Sequence, residues 1–160
     1  MAKTKNNISL ILLLLGISLV FISALIIEYV LGFQACKLCV YERIPYIISI
    51  FSISTILLLK KYEKIILFFL FLVFIFSVAL SFYHFGIEQG FFNELSVCGD
   101  AKDLETLSKE QLLERIKQND ISCKNVSFRI AGLSLAAINT ILSTILSGIF
   151  IKLYLNYEKN

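Results

Sequence analysis

Two cysteines separated by two residues, Cys36 and Cys39, stand in the stretch GFQACKLCVYERIPY, and Glu42 and Arg43 follow at once. A CxxC pair can attach haem, bind zinc or form a redox-active disulfide. Haem attachment needs a histidine directly after the second cysteine, where this chain has Val40. Haem attachment through this motif is therefore excluded.

Zinc is disfavoured by the spacing of the remaining ligands. A structural zinc site takes four ligands, usually from two such pairs. The other two cysteines, Cys98 and Cys123, are 25 residues apart, and the only histidine, His84, lies near the end of an apolar run. The sequence therefore favours no metal site. It favours a redox disulfide, which needs a thiolate with a lowered pKa.

The start of the second predicted helix can stabilise that thiolate. Cys39 stands just before or in its first turn, where the positive end of the helix dipole favours negative charge. Arg43, four residues on, can support the Cys39 thiolate and an anionic ligand beside it, or can serve only as an interfacial anchor. Glu42 either works against this effect or pairs with Arg43. The sequence leaves these alternatives open.

Long apolar runs must position these residues. The chain has 160 residues and one proline, and 58% of the residues are hydrophobic; its mean hydropathy is +0.81. Soluble domains contain about 45–50% apolar residues. About 20 apolar residues cross a hydrocarbon core of about 30 Å. The runs therefore predict one domain over residues 1–160, an all-α integral membrane four-helix bundle. Its helices are expected at about 8–30, 41–59, 65–87 and 130–151.

Lysines predict how the bundle is oriented. With both termini in the cytoplasm, the inside segments hold seven lysines in 21 residues, whereas the outside loops, 32–43 and 88–129, hold eight basic residues in 54. The positive-inside rule favours this topology. All four cysteines then lie in the outside loops, where an oxidising compartment such as the periplasm sustains disulfides. The net charge of +3 marks topology and does not indicate nucleic acid binding.

The second outside loop carries a helix signal of its own. Ser108 and Gln111 form a capping-box pattern before a short apolar stripe. We expect a small amphipathic helix at about 108–118, between Cys98 and Cys123. It is either a solvated loop helix or one that lies on the membrane or docks a partner.

The cysteine pairs suggest an electron route. A disulfide between Cys98 and Cys123 could take electrons from a soluble protein outside and pass them to Cys36 and Cys39 by exchange. The chain has no haem, iron–sulfur or flavin motif, so a membrane quinone is the expected acceptor. His84 could bind or protonate a quinone oxygen, or could be an interfacial histidine bonded to a neighbour.

The chain resembles the DsbB family of bacterial disulfide-bond formation proteins. The resemblance covers nearly all of it and rests on CKLCVYER, on YHFGIEQGFF and on CGD followed by ISCKNVSFRIAGLSLAAINT. It implies an inner-membrane enzyme that reoxidises a DsbA-like thioredoxin-fold partner in the periplasm and reduces ubiquinone or menaquinone. One departure is Ile138 before Asn139, where many members carry tryptophan.

The resemblance also implies a role for each cysteine. Cys98 would be attacked by the partner's thiolate, and Cys123 would be released and would exchange with Cys36. Cys39 would be the thiolate beside the quinone ring, and Arg43 would stabilise negative charge there.

Two other functions remain open on sequence grounds. A relative of vitamin K epoxide reductase would share the bundle and the CxxC, but that motif is expected on a late helix, whereas here it follows the first. A four-span scaffold or transporter subunit would use both bridges only as structural staples, and such bridges resist mild dithiols.

Overall fold

The protein is described by a computed structural model, which describes residues 2–93, 123, 128–130 and 132–158. Its helices are α1 (Ala2–Tyr29), α2 (Lys37–Tyr41), α3 (Ile44–Leu58), α4 (Glu63–Glu88) and α5 (Leu135–Glu158). A 3-10 turn, Lys60–Tyr62, precedes α4, and two short strands, β1 (Arg129–Ile130) and β2 (Leu133–Ser134), precede α5. The amphipathic helix predicted at about 108–118 lies outside the described residues.

Four stretches of the described chain are long and apolar enough to cross a membrane: Asn7–Tyr29, Lys37–Leu58, Lys60–Glu88 and Leu135–Tyr157. Large apolar side chains such as Leu12, Leu19 and Phe76 are exposed on the outside of the bundle, as expected for helices that face lipid. The predicted all-α membrane bundle of four spanning helices is confirmed.

The second span begins earlier than its predicted start at 41, and it is interrupted. Cys36 is the N-cap of α2, which ends at Tyr41, and α3 starts at Ile44. Pro45 occupies the first turn of α3. Because proline has no backbone N–H, it cannot donate to the carbonyl of Tyr41, so the helical ladder breaks there. The break lies directly at Glu42 and Arg43.

The fourth span begins later than its predicted start at 130. Strands β1 and β2 pair antiparallel, with Arg129 opposite Ser134, and Gly132 turns the chain with a φ of 83°, a conformation that glycine adopts readily. The Ser134 hydroxyl then accepts the backbone N–H of Ala137 at 3.2 Å. This contact is an N-cap, so it fixes the start of α5 at Leu135.

The core is densest away from the CxxC. Helix α4 packs most extensively on α5, and α1 packs on α3. The Phe74 and Phe150 rings are fully buried and stack with centroids 5.5 Å apart. Tyr46 meets Phe74 edge-on at 5.9 Å. We call this half of the bundle the packed end and the half that begins at the CxxC the site end.

Candidate active site

The CxxC forms the first turn of α2. Cys36 has an extended backbone, with φ −68° and ψ 165°, and its sulfur accepts the backbone N–H of Cys39 at 3.2 Å. The two Sγ atoms lie 2.7 Å apart and share a hydrogen bond. Both cysteines are free thiols. The motif is therefore in its dithiol state, with one sulfur at the helix N-terminus.

A histidine and a glutamate stand behind this sulfur. His84 Nε2 lies 3.5 Å from Cys36 Sγ, and His84 Nδ1 lies 2.7 Å from Glu42 Oε1. Only 2% of His84 and 7% of Glu42 is exposed. Because a carboxylate only accepts hydrogen bonds, Glu42 fixes a proton on Nδ1 and aims Nε2 at the sulfur. The arrangement resembles the nucleophile, base and orienting acid of covalent catalysis.

Glu42 is itself held from α5. Asn139 Nδ2 donates to Glu42 Oε2 at 2.9 Å, and the Tyr46 hydroxyl donates to Asn139 Oδ1 at 2.5 Å. The hydrogen-bond chain therefore runs from Tyr46 through Asn139, Glu42 and His84 to Cys36. Fully satisfied buried networks of this kind hold their members in one arrangement.

The contacts around Cys36 favour its thiolate. The hydrogen bond from Cys39 lowers the pKa of Cys36 to about 5, with further help from the hydrogen bond and charge of His84, although burial acts in the opposite direction. The sequence predicted that the helix start would favour the thiolate of Cys39. In the structure the sulfur that caps the helix is that of Cys36, and Cys39 lies three residues inside.

Arg43 has a different partner from the one that the sequence offered. Its guanidinium donates to the Glu28 carboxylate of α1, and both side chains are largely buried. Glu42 is bound to His84 and Asn139 instead. The alternative in which Glu42 pairs with Arg43 is therefore wrong for this structure.

A cavity of about 280 Å³ opens beside the dithiol. Its polar wall holds Cys36, Cys39, Arg43 and His84. Much of its apolar wall comes from α1 and α5, including Leu19, Ile27, Ile138 and Leu142, and Phe33, Phe128 and Ile130 complete it. Helix α1 packs chiefly on α3, and α5 packs chiefly on α4. The cavity therefore lies along a cleft between α1 and α5, which have few contacts with each other. This site combines an apolar volume, one guanidinium and two thiols.

Of the second cysteine pair, the structure describes Cys123. Cys123 is disulfide-bonded and only 2% exposed. It belongs to a buried cluster with Cys36, Leu38 and Ile87. Cys98 lies outside the described residues. Of the predicted site residues, the structure thus brings Cys36, Cys39, Arg43, His84 and Cys123 to one end of the bundle.

Three polar residues add to the predicted set. Glu28, Asn139 and Tyr46 are not among the site residues that the sequence predicts. A polar side chain inside an apolar run is the signal that could have pointed to Asn139. No local signal connects Tyr46 with it, because the two are 93 residues apart.

Known proteins match nearly the full length of the chain. The family model described as "Disulfide bond formation protein DsbB" matches residues 6–153. A protein of Rickettsia prowazekii (strain Madrid E), described as uncharacterized, is 32% identical over 152 residues, which cover 93% of this chain and 88% of that protein. No solved structure matches the chain at a significant level.

Proposed function

This chain belongs to the DsbB family of disulfide bond formation proteins, and we propose that it is a quinone-dependent oxidase of protein thiols. It would reoxidise a periplasmic DsbA-like, thioredoxin-fold protein and pass the electrons through two cysteine pairs to ubiquinone or menaquinone in the membrane. The observation that carries the proposal is a free dithiol in the wall of an apolar cavity beside the half-buried guanidinium of Arg43.

The first exchange would take place at the second cysteine pair. The partner's thiolate attacks Cys98, a mixed disulfide forms, and Cys123 leaves as a thiolate. The partner's second thiol then resolves the mixed disulfide, so that the partner is oxidised by two electrons and Cys98 and Cys123 are reduced. Cys98 as the bridge partner of Cys123 is part of this proposal.

The second exchange would move the electron pair to the CxxC. Cys123 attacks Cys36 of an oxidised CxxC, and Cys39 leaves. Cys98 then attacks Cys123, which restores the outer bridge and releases Cys36. Burial of Cys123 and Cys36 in one cluster supports this route.

The cavity residues fit a quinone. When bound, a quinone supplies an acceptor for two electrons and two protons. Cys36 and Cys39 would supply the electron pair and two protons as their disulfide forms. Cys39 lines the cavity with Arg43, whose guanidinium can stabilise negative charge there and is held in place by Glu28. His84, aimed by Glu42, can accept the Cys36 proton.

The cavity's position supports entry from the bilayer. Many of its apolar residues come from α1 and α5, and each of these helices has its main packing contacts with another helix. A lipid-soluble acceptor could therefore approach between α1 and α5. The site end would face the periplasm of a bacterial inner membrane, with both termini in the cytoplasm, because the lysines are concentrated in the other segments.

Quinone reduction by purified protein in detergent, started with a reduced DsbA-type partner, tests the proposal. We expect turnover by the wild type and none by Cys98→Ser. Arg43→Ala should raise the KM for quinone about tenfold, as loss of a charged contact does, whereas Arg129→Ala, an exposed arginine at the same end, should leave it unchanged. If no quinone is consumed and both cysteine pairs resist the partner, the scaffold function replaces this one.

A further inference from the structure

The dithiol and the histidine together form a set of metal-binding atoms. Cys36 Sγ, Cys39 Sγ and His84 lie with their ligand atoms within 4.8 Å of one another. We propose that the reduced CxxC and His84 form a binding site for Zn²⁺, and that oxidation of the two cysteines to a disulfide abolishes it. The binding does not depend on quinone chemistry; its effect on turnover rests on the function proposed above.

The distances suit a tetrahedral ion. Zinc binds thiolate sulfur at about 2.3 Å and imidazole nitrogen at about 2.0–2.1 Å, which places a sulfur and a nitrogen about 3.5 Å apart and two sulfurs about 3.7 Å apart in a tetrahedron. The Cys36 Sγ to His84 Nε2 distance is already 3.5 Å. The two sulfurs are 2.7 Å apart and must separate by about 1 Å, which small side-chain rotations allow.

His84 is already arranged as a ligand. Metal-binding histidines usually donate their second ring N–H to a carboxylate, which fixes the ring and makes the binding nitrogen more basic. Glu42 accepts from Nδ1 in this way, and Asn139 holds Glu42. In the neutral imidazole Nε2, the nitrogen directed at the sulfurs, therefore carries the lone pair for a metal ion.

A fourth ligand, a carboxylate oxygen of Glu88, is within reach. Glu88 Oε1 lies 3.9 Å from His84 Nε2. Its other oxygen, Oε2, is the single buried side-chain nitrogen or oxygen atom in the described part of the chain that has no hydrogen-bond partner. The Glu88 carboxylate is 6% exposed and lines the same cavity. Buried carboxylate oxygens without partners are costly, and a bound ion would satisfy this one.

The sequence argument against zinc rested on the 25 residues between Cys98 and Cys123 and on the place of His84 near the end of an apolar run. His84 is also 48 residues from Cys36 along the chain. The bundle removes that separation by setting the end of α4 against the start of α2. The remaining cysteine pair is not needed, because Glu88 or water can supply the fourth ligand.

Binding would be set by the redox state and would block the relay. As Zn²⁺ binds, the proton of the Cys39 thiol and the proton shared by Cys36 and His84 are released, and no electron moves. The disulfide has no thiolate to offer, so it cannot bind the ion. With both sulfurs held on Zn²⁺, Cys36 and Cys39 cannot form their disulfide. Zinc should therefore inhibit quinone reduction until a chelator removes it.

Cobalt titration tests the site without quinone. Full-length protein in detergent carrying Cys98→Ser and Cys123→Ser is reduced, freed of reductant and titrated with Co²⁺, whose visible bands report four-coordinate geometry and thiolate ligation. We expect one Co²⁺ per chain, displaced by Zn²⁺, and no bands after the CxxC has been oxidised. The matched Cys36→Ser and Cys39→Ser double variant should give no bands. Equal bands in both double variants, or none in the first, would overturn the proposal.

Two further substitutions test whether His84 and Glu42 contribute to metal binding, or whether the two thiols bind the ion alone. His84→Ala should weaken Co²⁺ binding at least about a hundredfold, and Glu42→Gln about 10–100-fold, the range for a residue that orients a metal-binding histidine. Unchanged affinity in both variants would contradict the site. If Co²⁺ fails to bind while quinone reduction proceeds, only the metal site is wrong. If Co²⁺ binds and no quinone is reduced, the proposed function fails and the metal site stands.

Discussion

The two ends of the bundle differ in what fills their interiors. At the packed end, Phe74 and Phe150 are fully buried and stacked, and apolar side chains from α1, α3, α4 and α5 fill the core. At the site end, buried Glu42 and His84 replace apolar residues, and a cavity of about 280 Å³ takes the place of packing.

This difference indicates that the packed end contributes stability, whereas the site end contributes the chemistry. Close packing and small polar contacts stabilise helices in lipid, and the packed end offers both. Buried acids, a histidine and a cavity are each unfavourable for stability. Glu42 and His84 are tolerated because they are hydrogen-bonded within one network. We infer that substitutions at the packed end change the free energy of unfolding, whereas those at the site end change turnover.

The largest effect is expected from removing one sulfur. Cys39→Ser should abolish partner-driven quinone reduction, because an alcohol cannot complete the disulfide through which the electrons leave. The melting temperature in detergent should stay near that of the wild type, since the change is nearly isosteric. Substantial turnover in this variant would remove the CxxC from the electron route.

The second largest effect is expected on the pKa of Cys36. In metal-free dithiol protein lacking Cys98 and Cys123, the thiolate absorbance of Cys36 should titrate near pH 5, against about 8.5 for a free cysteine. Because its pKa is lowered, the thiolate persists down to that pH and is protonated below it. Cys39→Ala removes the side-chain hydrogen bond that contributes most to this lowering, so the midpoint should rise. A midpoint near 8.5 before that change would refute the lowered pKa.

At the packed end, Phe74→Ala should lower the free energy of unfolding by about 3 kcal/mol, the usual cost of a large cavity in a core. Turnover per folded molecule should hardly change. Phe76→Ala is the control, because that ring is 66% exposed, and it should cost less than about 0.5 kcal/mol. Unfolding in detergent measures both variants. Equal costs would show that the packed end does not carry the stability.

Within the site-end network, Glu42→Gln should lower turnover about a hundredfold, within the range for loss of a proton-transfer group. Glutamine can donate to His84 Nδ1 and so reverse the tautomer that aims Nε2 at Cys36. The pH dependence of turnover should change with it, which a purely structural loss would not produce. Glu63→Gln, an acid at the other end of α4, provides the comparison and should behave as the wild type.

The smallest effect is expected between the two ends. The Ser77 and Ser143 hydroxyls share a buried hydrogen bond of 2.9 Å between α4 and α5. Such bonds between membrane helices contribute about 0.6 kcal/mol on average, so Ser77→Ala should lower the free energy of unfolding by about that amount. A cost above about 2 kcal/mol would exceed the range of such bonds and extend the site-end network to this pair.

The sequence could predict features that depend on neighbouring residues, but not those that depend on contacts between residues far apart in the chain. Run length predicts the spanning helices, and local spacing predicts the CxxC and Arg43 as chemical groups. The pairing of Arg43 with Glu28 and of Glu42 with His84 and Asn139 could not be predicted, because helix rotation and packing decide which faces meet. The starts of α2 and α5 depend on single contacts, the Cys36 and Ser134 caps, which hydropathy does not detect.

In the proposed relay, the CxxC alone delivers electrons to the quinone. The direct test is a single-turnover mixing experiment in which prereduced protein meets quinone without any partner. Protein carrying Cys98→Ser and Cys123→Ser should reduce one quinone per chain, and protein carrying Cys36→Ser and Cys39→Ser should reduce none. Quinone reduction by the second variant, or none by the first, would contradict the account.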